Sequence, residues 1–198
     1  MKHIFLSASV PLPERNRIFF DTADVFLIRE AIRALIEVVT PLGTITFGGH
    51  PAITPLVSLY LANTGHPKDR VTVFQSDFFP RATGKDALNF VDIRYTPSLP
   101  EGLAASLAFM RQEMIESRKF DAAVLIGGME GIDEEVKMFR KSHPKALILP
   151  VPSTGAAAKM IYLSGDFPAD LETEISFASM FRRHLLPRPK AISAGQNN

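Results

Sequence analysis

The stretch that decides the fold is Asp121-Ala-Ala-Val-Leu-Ile-Gly-Gly-Met-Glu-Gly-Ile-Asp-Glu-Glu135. Residues 122–126 form an apolar run without polar alternation, which is typical of a parallel strand buried on both faces. Gly127-Gly128 ends the run, and glycine there permits a positive φ and a close approach of ligand to backbone N–H groups. Residues 133–135 place acids in the first turn of a following helix, where the helix dipole favours them. Such a junction is typical of a phosphate site, although a tight βα turn without a ligand is the simpler alternative.

Composition favours one ordinary globular domain. The chain has 198 residues, of which 46% are hydrophobic, enough for one sizeable core. We expect a single domain over residues 1–186 and a flexible tail over 187–198. The formal net charge of +1 predicts neither a nucleic-acid partner nor a membrane partner. The N-terminal apolar segment is too short for a signal peptide or a membrane span, so a cytoplasmic location is the default expectation.

Cysteine and histidine usage argues against metal and thiol chemistry. The chain has no cysteine, which excludes disulfides, thiolate ligands and a cysteine nucleophile. Its five histidines are scattered without the spacing of metal ligands. We therefore expect no metal and no cofactor.

Strand and helix patterns alternate along the chain. Short strand-like runs occur at residues 4–6, 44–47, 71–74, 91–95, 122–126 and 146–150. Helical patterns occur at residues 22–39, 55–63, about 99–117, 133 onward, about 153 onward and 168–186. Asp21 or Thr22 is available as the N-cap of the first helix, and Ser153 or Thr154 as that of a later one. The alternation predicts an α/β, Rossmann-like three-layer fold with a mostly parallel central sheet and helices on both faces.

Other small or basic residues are predicted at the same sheet edge. A second glycine pair follows a strand in Phe47-Gly-Gly-His50, and a doubled glycine is more than an ordinary βα turn requires. Two predicted loops carry basic side chains. The proline-rich loop has Arg15 and Arg17, and a later loop has Arg81 and Lys85. Arg15 and Arg17 can reach an anion there, although exposed arginines are common.

The candidate site residues form two sets. The candidate nucleotide- and phosphate-binding residues are Ser7, Ser9, Gly48, Gly49, His50, Gly127, Gly128, Met129, Glu130, Gly131, Ser153, Thr154 and Gly155. Glycine turns and helix N-termini supply N–H groups to phosphate, and hydroxyls add donors. The candidate catalytic residues are Arg111, Glu134 and Glu135.

Four of these pieces together resemble the Rossmann-like SLOG superfamily. They are Phe5-Leu-Ser-Ala-Ser9, Phe47-Gly-Gly-His50, Arg111 on a helix before a strand, and residues 127–135. The superfamily groups the LOG phosphoribohydrolases, long misnamed lysine decarboxylases, with the DNA-processing protein domain and nucleotide-sensing domains of bacterial conflict systems. The resemblance covers about residues 3–165. It implies a nucleotide site at the carboxyl edge of the sheet.

The match to the LOG motif is partial. That motif runs Pro-Gly-Gly-x-Gly-Thr-x-x-Glu, and an arginine one helix upstream joins its glutamate in cleaving the N-glycosidic bond. Gly127, Gly128, Gly131 and Glu135 take the glycine and glutamate positions, and Arg111 lies where that arginine would. The strand lacks the motif's proline, the spacer Met-Glu is one residue longer, and residue 132 is isoleucine where the family has the threonine that helps hold the phosphate. This form is more similar to the sensor-type members than to the hydrolases.

Three functions follow as hypotheses. The first is a sensor-type SLOG domain that binds a nucleotide or NAD-derived ligand, and the resemblance implies a role in a bacterial defence or conflict system. The second is a LOG-type nucleoside 5'-monophosphate phosphoribohydrolase. The third is an oligomerising scaffold without a ligand. LOG-like proteins commonly dimerise, so the resemblance implies a homo-oligomer, and a sensor of this size would also require an effector protein as partner.

Overall fold

A six-stranded parallel sheet forms the centre of the protein. The computed structural model describes residues 1–80, 90 and 92–186. The strands are β1 (Lys2–Ser9), β2 (Gly43–Gly48), β3 (Val71–Ser76), β4 (Asp92–Thr96), β5 (Ala122–Gly127) and β6 (Leu147–Val151). Their order in the sheet is β4-β3-β2-β1-β5-β6, and every neighbouring pair is parallel. The sheet is thus parallel throughout the described residues, where the sequence predicted a mostly parallel one.

Helices cover both faces of the sheet. They are α1 (Arg17–Phe20), α2 (Val25–Val39), α3 (Thr54–Thr64), α4 (Leu103–Glu116), α5 (Glu130–Ser142), α6 (Ala156–Ser164) and α7 (Phe177–Leu185). One core lies between the sheet and α2, α3 and α7, and a second lies between the sheet and α4, α5 and α6. The predicted Rossmann-like three-layer fold is confirmed.

The alternation of side chains along β1 explains why it lies at the centre. Ile4 and Leu6 are buried in the core beneath α2, whereas Phe5 points to the other face. There the Phe5 ring stacks on Phe139 of α5, with ring centroids 5.5 Å apart and planes at 14°. A strand that is apolar on both faces is stable only between two helical layers.

The first crossover helix begins later than the sequence suggested. The expected cap was Asp21 or Thr22, but α2 begins at Val25 and its N-cap is Asp24. The Asp24 carboxylate accepts a hydrogen bond of 2.9 Å from the N–H of Leu27. Asp24 is the N-cap because it directly precedes the apolar stripe of α2 and its carboxylate can accept a hydrogen bond from the N–H of the third helical residue.

The C-terminal segment is not one helix. The prediction of a helix over 168–186 is wrong, because a 3-10 turn at Ala169–Leu171 is followed by an irregular connection and then by α7. Two hydrogen bonds hold the connection: Ser153 Oγ donates to the Glu174 carbonyl at 2.8 Å, and the Ser176 N–H donates to the Glu174 carboxylate at 2.7 Å. These side-chain hydrogen bonds occupy backbone groups that a continuous helix would use, and the helix is interrupted at this point.

The remaining predictions concern the start of α4, two segments outside the described residues, and membrane spans. α4 begins at Leu103 after Gly102, which has a φ of +94°, rather than at about residue 99. The loop with Arg81 and Lys85 and the predicted tail at 187–198 lie outside the described residues. Within the described ranges, no helix is long and apolar enough to cross a membrane.

Candidate functional site

The candidate site lies at the topological switch point of the sheet, where successive crossover connections run in opposite directions. β1 is followed by β2 on one side and has β5 on the other, so the crossovers leave in opposite directions from this point. In sheets of this type a crevice forms outside the carboxyl ends of the two central strands. Ser9 and Gly127 are register partners at those ends. The strand order therefore brings residues from the first and the central motifs to one place.

The turn after β5 has the backbone that the glycine pair predicts. Gly127 and Gly128 have φ values of +58° and +89°, a region that other residues rarely adopt. The Gly128 N–H donates to the Ser9 carbonyl at 2.8 Å, which joins the turn to β1. A β-carbon on Gly127 would stand 2.6 Å from Cδ1 of Ile28 in α2, so the turn is also in close contact with the opposite layer.

The helix after this turn begins earlier than expected. The acidic run predicted a start at residue 133, but α5 starts at Glu130, so Gly131 lies inside its first turn. The N-cap is Met129, and no side chain caps the helix. The first N–H groups of a helix have no partner within it, and here the N–H groups of Glu130 and Gly131 have no acceptor among the described residues. They are free to bind an anion at this edge.

Arg111 of α4 lies directly over this turn. Its Nη1 donates to Glu134 at 2.6 Å, and its Nε is 3.4 Å from Glu135 Oε1. A β-carbon on Gly131 would stand 2.7 Å from Arg111 Nη2. The Arg111 side chain is only 16% exposed, whereas Glu134 is 61% exposed. The three predicted catalytic residues are thus neighbours, with Glu135 on the inner side and Glu134 toward solvent.

Glu135 is held by the first strand as well as by Arg111. The buried hydroxyl of Ser7 donates to Glu135 Oε2. The Glu135 side chain is 15% exposed. Burial raises the pKa of its carboxyl above the usual range, while Ser7 and Arg111 act in the opposite direction by stabilising the ionised form. A carboxyl with a raised pKa at a sheet edge is typical of functional sites.

The second glycine pair lies on the other side of β1. The Gly49 N–H donates to the Phe74 carbonyl at 2.7 Å, and the His50 N–H donates to Thr54 Oγ1 at 2.9 Å. Neither Gly48 nor Gly49 has a positive φ. Instead, a β-carbon on Gly48 would touch Met110 of α4 at 3.4 Å. These two N–H groups are therefore occupied within the fold, and the side chain of His50 is what this loop offers to a ligand.

The small residues after β6 support the turn after β5. Thr154 Oγ1 donates to the Val151 carbonyl at 2.6 Å and accepts from the Gly127 N–H at 2.9 Å. The Ser153 hydroxyl donates to Glu174, as described above. The expectation that Ser153 or Thr154 caps a helix is wrong, because both belong to a 3-10 turn and Gly155 is the N-cap of α6. Their hydroxyls are engaged with the protein in this arrangement.

The remaining candidates lie around the entrance. The Ser9 side chain is half-buried at the end of β1, and its hydroxyl has no partner among the described residues. Met129 is buried in the core beneath α4 and α5. Glu130 is exposed and accepts a hydrogen bond of 3.2 Å from Asn16 Nδ2. The sequence reasoning missed Asn16, whose position before a short helix is the cap signal that identifies it.

Comparison with known proteins places the chain in a family. The family model described as "SLOG cluster3 family" matches residues 18–185. The chain belongs to the SLOG cluster3 family. The X-ray structure of TM1055, a Northeast Structural Genomics Consortium target, is similar with a TM-score of 0.57 at 15% identity, over 92% of this chain and 99% of its own. That likeness shows the fold alone. No curated protein matches the chain significantly.

The chemistry of the SLOG site is that of hydrogen bonding and charge. It offers free N–H groups at the start of α5, a half-buried carboxyl at Glu135 and the guanidinium of Arg111. Over the described part of the chain, no cluster of three or more His, Asp or Glu side chains is arranged to hold a metal ion. The donors suit an anionic group, and the carboxyl suits a ligand with hydroxyls.

Proposed function

We propose that this chain is a sensor-type SLOG domain that binds a nucleotide or an NAD-derived ligand at the carboxyl edge of its sheet. The observation that carries the proposal is the uncapped first turn of α5 beside the Ser7–Glu135–Arg111 cluster. The turn supplies N–H donors and the positive end of a helix dipole for phosphate. Glu135 supplies an acceptor for a ribose diol, because paired hydroxyls donate well to a carboxylate.

The state of Arg111 favours binding over turnover. Its guanidinium is shared between Glu134 and Glu135, at 2.6 and 3.4 Å. Two carboxylates neutralise much of the charge that a departing anionic group would need. Ile132, at the position of the hydrolase threonine, is 4% exposed and offers no donor. Both features support a site that holds a ligand rather than one that cleaves it.

A thermal-shift panel tests the proposal. AMP, ADP-ribose, NAD and cyclic AMP are each added over a range of concentrations, and each unfolding curve is compared with that of the ligand-free protein. A ligand that prefers the folded state stabilises it by about 2.7 kcal/mol at 100 times its Kd. A rise in Tm with a saturating dose dependence is expected for at least one member. A flat response to the whole panel contradicts the proposal.

A second candidate is a phosphoribohydrolase of LOG type, and the contact of Arg111 with Glu135 is the observation that favours it. In that reaction water bonds to the anomeric carbon, the N-glycosidic bond breaks, and its electron pair leaves with the base, which takes up a proton. A carboxyl with a raised pKa is suited to accept the proton of the water. The N–H groups of α5 would hold the phosphate.

Chromatography after incubation with each nucleotide separates the two candidates. Release of free base and ribose phosphate supports the hydrolase, and a Tm rise without product supports the sensor. Glu135→Ala is the deciding variant. In a hydrolase it abolishes turnover, whereas in a sensor it weakens binding without any product appearing in either protein. Turnover retained by this variant contradicts a role for Glu135 in accepting the proton of the water.

The mode of signalling is part of the same proposal. A sensor domain passes on the binding of its ligand by contacting an effector or by changing its assembly. Exposed apolar side chains near α1 and the start of α2 offer one surface for such contacts, namely Ile18, Phe20 and Phe26. Mass photometry with and without the ligand found in the panel measures whether the chain forms a homo-oligomer and whether ligand changes it.

A further inference from the structure

An unpaired arginine lies beside the candidate site and takes no part in the cluster described above. Arg15 belongs to the loop between β1 and α1, and its side chain is exposed. Its backbone N–H donates to the Leu12 carbonyl at 3.2 Å, which makes a turn within the loop. The guanidinium has no carboxylate partner among the residues that the structure describes. A cation that is left without a counterion at a ligand crevice is available for an anionic ligand.

The loop is held over the crevice by its neighbour. Asn16 Nδ2 donates to Glu130 at 3.2 Å, and Asn16 Oδ1 accepts from the Ile18 N–H at 3.0 Å. The first contact joins the loop to the start of α5, and the second makes Asn16 the N-cap of α1. Arg15 is the residue directly before this anchor. It therefore belongs to the part of the loop that is tied to the first turn of α5.

Two other arginines near this edge are already neutralised. Arg17 donates to Asp21 at 2.8 and 3.4 Å. Arg111 is shared by Glu134 and Glu135. Arg15 thus differs from both of them in having its full charge available. Because Arg17 is only two residues away and is also exposed, it is a natural control for Arg15.

His50 lies in the loop after β2, close enough to Arg15 to be affected by its charge. Its Nδ1 accepts a hydrogen bond of 3.2 Å from the Ala52 N–H, so the neutral ring carries its proton on Nε2. Burial lowers the pKa of the His50 imidazole, and the positive charge of Arg15 lowers it further. His50 is therefore neutral at physiological pH and presents one N–H donor beside the guanidinium. A charged donor and a neutral donor are thus both present at this edge of the sheet.

We propose that Arg15, assisted by His50, recognises the phosphate of the ligand, so that this site selects nucleotides over nucleosides. The inference rests on the proposed function, since it assigns the phosphate end of the same ligand. Arg15 binds a phosphate through two parallel N–H donors, a geometry that guanidinium and phosphate share. The phosphate then lies between the first turn of α5 and the loop that carries Arg15, which Asn16 ties to Glu130. Glu135, farther along α5, is left for the ribose.

The test compares AMP with adenosine by isothermal titration calorimetry. The wild-type protein is expected to bind AMP at least about tenfold more tightly than adenosine, which is the usual effect of one hydrogen bond to a charged group. Arg15→Gln is expected to lower AMP affinity about tenfold and to leave adenosine affinity unchanged. Arg15→Lys, which keeps the charge but not the paired donors, is expected to recover part of the loss.

Two controls make the outcome decisive. Arg17→Gln removes a nearby arginine that is already paired, and it is expected to keep the wild-type preference for AMP. The Tm of each free variant checks that folding is unaffected, as expected for an exposed side chain. If Arg15→Gln binds AMP as tightly as the wild type does, or if the wild type has no preference for AMP, the inference is overturned and the proposed function stands. If the wild type binds neither AMP nor adenosine nor any other panel member, both are overturned.

Discussion

Gly131 of α5 leaves the space that the guanidinium of Arg111 occupies. A β-carbon at position 131 would stand 2.7 Å from Arg111 Nη2, closer than any relaxed contact permits. Glycine inside a helix is less favourable than alanine by about 1 kcal/mol. Its place in the first turn of α5 is therefore explained by the approach of α4, which brings Arg111 to Glu134 and Glu135.

Gly131→Ala is expected to weaken ligand binding while leaving the free energy of unfolding almost unchanged. The added methyl group displaces the end of a flexible side chain, and the gain in helix propensity of about 1 kcal/mol offsets the strain. We therefore expect a free energy of unfolding within about 1 kcal/mol of that of the wild type, together with loss of most of the ligand-induced rise in Tm. Urea unfolding measures the first quantity and the thermal-shift panel the second. An unchanged ligand response would show that the position of Arg111 is irrelevant to the site.

The comparison for this variant is Gly127→Ala. There φ is +58°, and the new β-carbon would be 2.9 Å from the backbone carbonyl of Ser9, which cannot move aside. Strain of this kind costs roughly 1–3 kcal/mol. Urea unfolding is expected to show a clear destabilisation for Gly127→Ala and almost none for Gly131→Ala.

Ser7→Ala is expected to destabilise the protein through Glu135. The variant removes the hydroxyl that donates to Glu135 Oε2 and leaves that oxygen half-buried without its partner. Hydrogen bonds to charged groups contribute about 1.5–3 kcal/mol, and a loss near the lower end is expected because Arg111 remains. Chemical denaturation measures the loss. Ser9→Ala, on the same face of β1 but without a hydroxyl partner among the described residues, is expected to stay within about 0.5 kcal/mol of the wild type.

Stability is expected to depend on the ionisation of Glu135. Because burial raises the pKa of this carboxyl in the folded state, the folded protein holds the proton more tightly than the unfolded chain does. This contribution is fully present below the ordinary glutamate pKa of about 4.3, and it is lost as the pH rises through the raised folded value. Glu135→Gln has no such proton to lose. Its Tm is therefore expected to improve relative to that of the wild type as the pH rises from about 4.5 to 8, in a series of thermal melts at constant ionic strength.

The control for the pH series is Glu134→Gln. That side chain is 61% exposed and shares the same arginine. Its Tm difference from the wild type is expected to stay nearly constant over the pH range. A constant difference for Glu135→Gln as well would mean that this carboxyl has the same pKa in the folded and unfolded chains.

Ile132→Thr restores the hydrolase residue and is expected to cost stability without creating turnover. Ile132 is 4% exposed, and its Cδ1 lies against the Gly128 backbone. A β-carbon built on Gly128 would stand only 1.9 Å from that Cδ1 atom. Loss of apolar volume and burial of a hydroxyl together are expected to lower the free energy of unfolding by about 2–4 kcal/mol. Ile132→Val is the control, at about 0.5–1.5 kcal/mol. Release of base from AMP by the threonine variant would instead show that this residue alone separates sensor from hydrolase.

Local patterns predicted the layers of the fold well. The apolar runs of β1 and β5 have no polar alternation, so the sequence alone predicts their burial on both faces. The glycine pair at 127–128 likewise predicts the positive φ that the turn has. Strand order, by contrast, cannot be predicted from local patterns. Nothing local in the sequence places β5 beside β1, yet this pairing is what brings Ser7 to Glu135.

Side-chain competition explains what the sequence did not predict. Asp21, Thr22 and Asp24 are all plausible N-caps of α2, and only the packing of the helix selects Asp24. Likewise, the bond from Ser153 to Glu174 joins residues 21 positions apart and interrupts a pattern that otherwise suits a helix. The same limit applies to the free N–H groups of the site, because whether a glycine N–H is occupied depends on distant carbonyls such as that of Phe74.

The contact between Gly127 and Ile28 has a mechanical consequence. The turn that faces the crevice also rests on α2, and α2 packs against α7 on the far side of the sheet. A molecule that immobilises the turn must also damp the motion of α2, since the two are already in contact. Amide protons of α2 would then exchange more slowly in the occupied state, although no atom of the bound molecule touches that helix. Occupancy of the crevice could thus be detected by another protein on the opposite surface.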